Sequence, residues 1–211
     1  MLQLPYEERG MFLGYMIVML GAYLLGCSNM AMYLAKLKNV DLSGGSGNPG
    51  TSNATLLMGW GPGILVGVHD IGKGVLAVLL AELIFPELAY IGAVAGVACV
   101  MGHIFPVFMK FRGGKGLAAY IGMILALNWK FTLIILAVLV IATLLTDYIV
   151  VGTVITVVAT PVAMGFLTQS IILVAIICVA TAVILYKHRE NYVRIWKGTE
   201  IGVSSAFKKK A

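Results

Sequence analysis

Apolar runs long enough to cross a lipid bilayer fill nearly all of this 211-residue chain, and only three short polar islands interrupt them. The islands are Gly45-Ser-Gly-Asn-Pro-Gly-Thr-Ser-Asn53, Gly102-His-Ile-Phe-Pro-Val-Phe-Met-Lys-Phe-Arg-Gly-Gly-Lys-Gly116 and His188-Arg-Glu-Asn-Tyr-Val-Arg-Ile-Trp-Lys-Gly-Thr-Glu200. Hydrocarbon gives the backbone no water to bond, so such runs fold as helices whose peptide groups satisfy one another. Charged residues are 11% of the chain, against about 25% in a soluble domain. That excludes an ordinary water-soluble fold.

Glu7 and Glu8 precede the first apolar run and no small-residue cleavage site follows it, so this end does not read as a removable signal peptide. Cys27, Cys99 and Cys178 lie far apart in apolar stretches. They read as packing residues, with neither a disulfide nor a metal site expected.

A span needs about 20 apolar residues. Candidate spans cover residues 11–35, 88–109, 148–167 and 171–186. The stretch 54–85 is too long for one straight crossing and carries Gly59-Trp-Gly-Pro-Gly63, so a broken or re-entrant piece is expected ahead of its span. The stretch 117–146 holds Asn128-Trp129-Lys130 at its centre. Breaking it there gives seven crossings, with the N-terminus outside and the C-terminus cytoplasmic. Every Lys and Arg except Arg9, Lys130 and the membrane-embedded Lys73 then lies inside, as the positive-inside rule requires. The expected architecture is an all-α seven-helix membrane bundle with short or broken helices, a single domain over residues 1–211. Residues 117–127 and 131–146 are short for crossings, which implies local thinning or partial burial.

The isoelectric point near 9.3 does not signal nucleic acid. The cations sit between or after apolar runs and are not interleaved with stacking aromatics. All three islands and Asp147 fall on the cytoplasmic side, so any chemistry occurs at the membrane face. No internal repeat is visible, which weighs against an inverted-repeat transporter.

Amides and cations beside a lipid bilayer suit an anionic head group joined to a greasy tail. In the first island, Gly45-x-Gly47-x-x-Gly50 lacks the preceding strand of a dinucleotide site. Its glycines still let backbone approach an anion, and consecutive amides can form a nest. Thr51, Ser52 and Asn53 are candidate N-caps for a helix starting near Ala54, whose N-terminus would attract phosphate. In the second, Arg112-Gly113-Gly114-Lys115-Gly116 lacks the Ser or Thr and the spacing of a Walker loop, yet offers a mobile backbone and a point charge. His103 reads as a helix-bonding residue, and Phe105, Phe108 and Phe111 as lining the bundle or an acyl-chain path. In the third, His188, Asn191 and Arg194 fall at i, i+3 and i+6, giving a proton acceptor or donor, an amide and an anion clamp near one face. Gly198 is expected to end that helix and Glu200 to fold back onto a cation. Asp70 and Lys73, inside an apolar stretch, read as a structural ion pair.

Together the islands resemble the motifs of the bacterial membrane acyltransferases that acylate glycerol-3-phosphate from acyl phosphate. The resemblance rests on Ser46-Gly-Asn-Pro-Gly50 with Asn53, Gly102-His-x-Phe-Pro106 running to Gly113-Gly-Lys-Gly116, and His188-Arg-x-Asn191 with Arg194, Gly198 and Glu200. Asp70-x-x-Lys73-Gly74 matches a recurrent element as well. It implies transfer of an acyl group to the sn-1 hydroxyl, giving lysophosphatidic acid and phosphate, in the bacterial inner membrane. No cofactor is implied, and an upstream enzyme must form the acyl phosphate. It further implies that Ser46, His188 and Asn191 are catalytic. Gly45, Gly47, Asn48, Gly50, Asn53, Gly113, Gly114, Lys115, Arg194 and Glu200 would bind substrate or phosphate, with Ser46 contributing there too.

Three positions depart from the family pattern. Leu42-Ser-Gly-Gly45 lacks a preceding Arg, Gly26-Cys-Ser-Asn29 replaces Gly-Ser-x-Pro, and Asp147 and Val150 stand where an Arg and a Ser are usual. These changes motivate one alternative, an acyltransferase with another acceptor; a second, a small anion transporter, would use the same phosphate-binding islands.

Overall fold

The computed structural model describes residues 6–205, with side chains from Glu8 onward; the side chain of Glu7 and Lys208 to Lys210, used above, lie outside the described residues. Ten α-helices and one 3-10 turn account for the regular structure, and no strand occurs among the described residues. In order these are α1 (Tyr6–Gly26), α2 (Met30–Lys38), α3 (Thr51–Met58), α4 (Trp60–Ile84), α5 (Ile91–Ile104), the 3-10 turn Val107–Met109, α6 (Leu117–Leu127), α7 (Trp129–Thr146), α8 (Ile149–Thr168), α9 (Ile171–Lys187) and α10 (Arg189–Trp196).

The breaks follow local chemistry. Gly59, at φ 91°, separates α3 from α4 as the expected broken piece and span. Asn128 ends α6 and caps α7, accepting the N–H of Phe131 at 3.0 Å. Residues 11–35 fall inside one segment able to cross a bilayer, Glu8–Lys38, as expected, and that segment is broken into two helices. The chain breaks at Cys27-Ser-Asn29, where Asn29 starts α2 by accepting the N–H of Met32 at 3.0 Å.

Among the described residues, five segments are long and apolar enough to cross a bilayer, and α9 with α10 makes a sixth if counted across their 43° bend. With only 11 residues, α6 is shorter than these. Large apolar side chains point outward along the helices, among them Phe12, Leu20, Leu83, Leu145 and Phe166. Exposed on this scale, they mark a lipid-facing surface. Cys27 and Cys99 are buried as expected, whereas Cys178 is exposed on α9 and does not pack inside.

Two close crossings set the frame. Helix α1 lies on α5, where a Cβ on Gly26 would come 2.1 Å from Cys99 O and one on Gly102 would come 2.0 Å from Tyr23 O. Helix α4 lies on α6 in the same manner, with Gly74 against Ala119 O at 2.3 Å and Gly122 against Ile71 O at 2.0 Å. Without a hydrophobic force between helices in lipid, such small-residue contacts are what lets them pack. The main core, including Val100, Ile104, Tyr120, Met123 and Ile184, joins the ends of α5 and α9, and it is at those ends that the second and third islands meet.

Candidate active site

The first island is shaped from within by Asn53. Its side-chain oxygen accepts the N–H of Ser46 at 2.9 Å and its amide donates to Leu42 O at 3.0 Å. Gly45 and Gly47 hold left-handed φ values of 63° and 66°, and a Cβ on Gly45 would strike Asn53 Oδ1. Asn53 is therefore buried scaffolding, and Ser46 and Asn48 are the half-buried groups of the loop. The helix begins at Thr51 with Gly50 as its N-cap, so the expected side-chain cap by Thr51, Ser52 or Asn53 is not used.

The second island doubles back onto the end of α5. Gly113 N–H donates to Ile104 O and Gly114 N–H to His103 O, each at 3.1 Å. These two amides are thus committed within the protein, contrary to the mobile anion-holding backbone expected of this run. Lys115 projects from the turn and donates from Nζ to Asn191 Oδ1 at 2.7 Å. Burial, helped by the charge of Arg194, pushes the Lys115 ammonium below its ordinary pKa, with Glu200 opposing. Phe105 packs against the core, but Phe108 and Phe111 are exposed and do not line the bundle.

The third island turns at His188, the C-cap of α9. His188 is buried, and its Nδ1 lies 2.8 Å from Ile184 O. A carbonyl only accepts, so Nδ1 carries the proton and Nε2 keeps the lone pair. Burial, the largest cause, and the charge of Lys115 push the ring's pKa down to about 4, against the Ile184 bond and Glu200. Asn191 Nδ2 donates to Glu200 Oε1 at 2.5 Å, and Arg194 Nε donates to Glu200 Oε2 at 2.6 Å. Glu200 does fold back, past Gly198 at φ 66°. Arg189 instead faces outward, stacked on Tyr186 at 4.1 Å.

Lys115, Asn191, Glu200 and Arg194 therefore form one connected network beside His188. The first island is tied to it through a buried polar chain. Asn29 Nδ2 donates to Pro49 O at 3.2 Å, and next to it Ser28 O accepts from Lys73 Nζ at 2.8 Å. Lys73 also pairs with Asp70 at 2.9 Å, as expected, and meets His103 Nδ1 at 2.9 Å. The His103 ring lies against Gly114. Sequence reasoning missed Ser28, Asn29 and His69, whose Nδ1 is 3.2 Å from Asp70 and whose Nε2 is 3.2 Å from Ser28 Oγ. The signal available was four polar residues, Ser28-Asn29 and His69-Asp70, inside apolar runs.

Asp147, where the resemblance implies a cation, accepts from Ser204 at both carboxylate oxygens, from its N–H at 2.8 Å and its hydroxyl at 2.7 Å. Its main-chain oxygen takes Val203 N–H at 2.8 Å. The acid is thus spent on anchoring the segment after Glu200.

The sequence family described as glycerol-3-phosphate acyltransferase matches residues 16–198. Glycerol-3-phosphate acyltransferase 1 of Oceanobacillus iheyensis is 35% identical, the match covering 93% of this chain and 99% of that one. The glycerol-3-phosphate acyltransferase of Geotalea daltonii is 33% identical over 87% of this chain and 95% of its own. Among solved structures, the integral membrane glycerol 3-phosphate acyltransferase PlsY (YgiH) superimposes with a TM-score of 0.84 in its glycerol 3-phosphate form, at 32% identity, covering 89% of this chain and 94% of that one. Its lysophosphatidic acid form gives 0.82 at 31% identity, with the same coverage.

Proposed function

This chain belongs to the glycerol-3-phosphate acyltransferase family, and from that membership we propose how its polar face performs the reaction and from which donor. The protein is an integral membrane enzyme that transfers an acyl group to glycerol-3-phosphate, giving lysophosphatidic acid. The donor is a fatty acyl phosphate, made by an upstream enzyme, and the acceptor is the sn-1 hydroxyl. The observation that carries this reading is the Lys115–Asn191–Glu200–Arg194 network beside a buried neutral histidine.

His188 Nε2 takes the hydroxyl proton as the oxygen attacks the acyl carbonyl. The carbonyl carbon gains a bond to the glycerol oxygen and loses its bond to the phosphate oxygen, and inorganic phosphate leaves with the proton that His188 gives up. An acyl phosphate is already activated, so positioning and charge stabilisation suffice without a covalent nucleophile. Lys115 and Arg194 neutralise phosphate charge, Asn191 orients the reacting groups, and Glu200 holds Asn191 and Arg194 in place. Ser46, Gly47 and Asn48 hold the other phosphate, in a loop that Gly45, Gly50 and Asn53 shape. Gly113 and Gly114 serve by giving the chain a close approach to α5.

The single domain crosses the bacterial inner membrane seven times, with its N-terminus outside and the islands cytoplasmic. Supporting this, α6 and α7 part at Asn128 and Trp129, leaving Lys130 at the opposite end of α6 from Lys115. The test is phosphate release from palmitoyl phosphate by purified protein in detergent. Release that requires glycerol-3-phosphate and matches lysophosphatidic acid formed is the expected result. Turnover indifferent to glycerol-3-phosphate would replace the acceptor, and none in folded protein would remove the donor.

A further inference from the structure

Asp70, Lys73 and His103 form a buried set that the reaction above leaves without a task. Each is at most 4% exposed. A lysine ammonium has three N–H donors and no lone pair. Lys73 Nζ lies 2.8 Å from Ser28 O, 2.9 Å from Asp70 Oδ1 and 2.9 Å from His103 Nδ1. Three donors thus meet three acceptors, and the ring nitrogen facing Lys73 must be the one with the lone pair. The 3.5 Å approach of Asp70 Oδ1 to the same Nδ1 is then two acceptors held by one ammonium, not a hydrogen bond between them. A neutral His103 carries its proton on Nε2.

That N–H lies on the edge of the ring beside Gly114. A Cβ built on Gly114 would sit 2.0 Å from Nε2 and 2.7 Å from Cε1, so any side chain there would cover the donor. The amides of Gly113 and Gly114 are turned inward to Ile104 O and His103 O. The loop's own backbone therefore leaves the donor role open at the place where the ring edge arrives, one residue from Lys115. The two histidines at this face are set in opposite tautomers, His188 with the lone pair on Nε2 and His103 with the proton there.

We infer that His103 Nε2–H is a further hydrogen-bond donor to the substrate phosphate, reaching it beside Gly114, and that Lys73, held by Asp70 and Ser28 O, is the positioning residue that fixes this tautomer. The inference rests on the reading that Lys115, the neighbour of Gly114, lies against a substrate phosphate.

The chain has three histidines, so 15N-histidine-labelled protein in detergent gives three rings, assigned with His103→Gln and His188→Gln. The expected spectrum at neutral pH shows His103 protonated on Nε2 alone. Its Nε2–H resonance moves on titration with glycerol-3-phosphate or palmitoyl phosphate, which a purely structural ring would not do. Protonation on Nδ1, or a resonance unmoved by saturating amounts of both substrates, overturns the inference. In parallel, His103→Gln, whose amide N–H can stand near Nε2, keeps the KM values within about threefold, whereas His103→Asn raises one of them about tenfold or more. Equal damage in both variants at unchanged melting temperature also overturns it. Lys115→Ala separates the two levels: unchanged KM and kcat in that variant sink the underlying phosphate site, while a defect there beside a silent His103 sinks this inference alone.

Discussion

Lys115, in the turn after α5, donates to Asn191 on α10 at 2.7 Å across 76 positions of chain. Asn191 passes the contact to Glu200, which also holds Arg194. The amide oxygen faces a cation and its nitrogen faces a carboxylate, so the Asn191 orientation is fixed by its neighbours. Lys115→Ala removes the ammonium and leaves Asn191 Oδ1 without its donor. Turnover is expected to fall at least tenfold, about 1.4 kcal/mol of barrier, with the melting temperature in detergent nearly unchanged. Near-normal phosphate release by this variant would refute the role.

His188 gives the sharpest pH signature. Its ring is pushed down to about 4 in the folded protein, against about 6.5 for a free histidine. The base is therefore neutral at physiological pH, and the acid limb of kcat/KM, which reports the free enzyme, is expected near pH 4 to 5, not 6.5. Stability follows with the same sign. Between those values the unfolded chain binds a proton that the folded ring refuses, so the His188 contribution is complete above about pH 6.5 and is lost as pH falls toward about 4. His188→Ala should lose at least tenfold in turnover and also lose this part of the pH dependence of melting. A kcat/KM limb at pH 6.5 in the wild type would contradict the buried neutral ring.

Much of this was legible because polar residues in an apolar chain are conspicuous. The breaks at Gly59 and Asn128, the Asp70–Lys73 pair and the return of Glu200 were readable from residues that lipid tolerates only with partners. The joining of His69, His103 and Ser28 to that pair was not, because it depends on how α1, α4 and α5 cross. Nor was the inward turn of the Gly113 and Gly114 amides, since glycine spacing gives the freedom of a backbone and not its direction. The outward face of Cys178 was misread, and lining of the bundle by Phe108 and Phe111 does not hold, for a related reason: in a membrane chain apolar residues face both core and lipid, so hydropathy does not choose between them.

The glycine crossings separate packing from propensity. In Gly122→Ala the methyl would lie 2.0 Å from Ile71 O, a backbone atom that cannot rotate away. Gly21→Ala on α1 would meet nothing within 4 Å. The first is expected to lower the melting temperature by several degrees as α4 and α6 are forced apart. The second should be neutral or stabilising by up to about 1 kcal/mol, the helix-propensity difference between the residues. Equal effects of the two substitutions on thermal unfolding in one detergent would show that the crossing is looser than these distances require.

Asp147 tests whether the acid that holds the segment after Glu200 works for the fold or the reaction. Its φ of 66° is left-handed, so Asp147→Gly keeps the backbone while removing both carboxylate bonds to Ser204. Asp147→Asn can still accept from Ser204 N–H and donate to its hydroxyl. The segment after Glu200 is pinned at Glu200 and at Ser204. Losing the second anchor should raise its opening by roughly tenfold, the equivalent of about 1.4 kcal/mol, read as faster cleavage beyond Glu200 by added protease. Turnover should fall less than in Lys115→Ala, because Glu200 keeps its bonds to Asn191 and Arg194. Unchanged protease resistance in Asp147→Gly would mean that Ser204 is held by other contacts. A loss of turnover as deep as that of Lys115→Ala, with the segment still protected, would place the Asp147 carboxylate in the reaction itself.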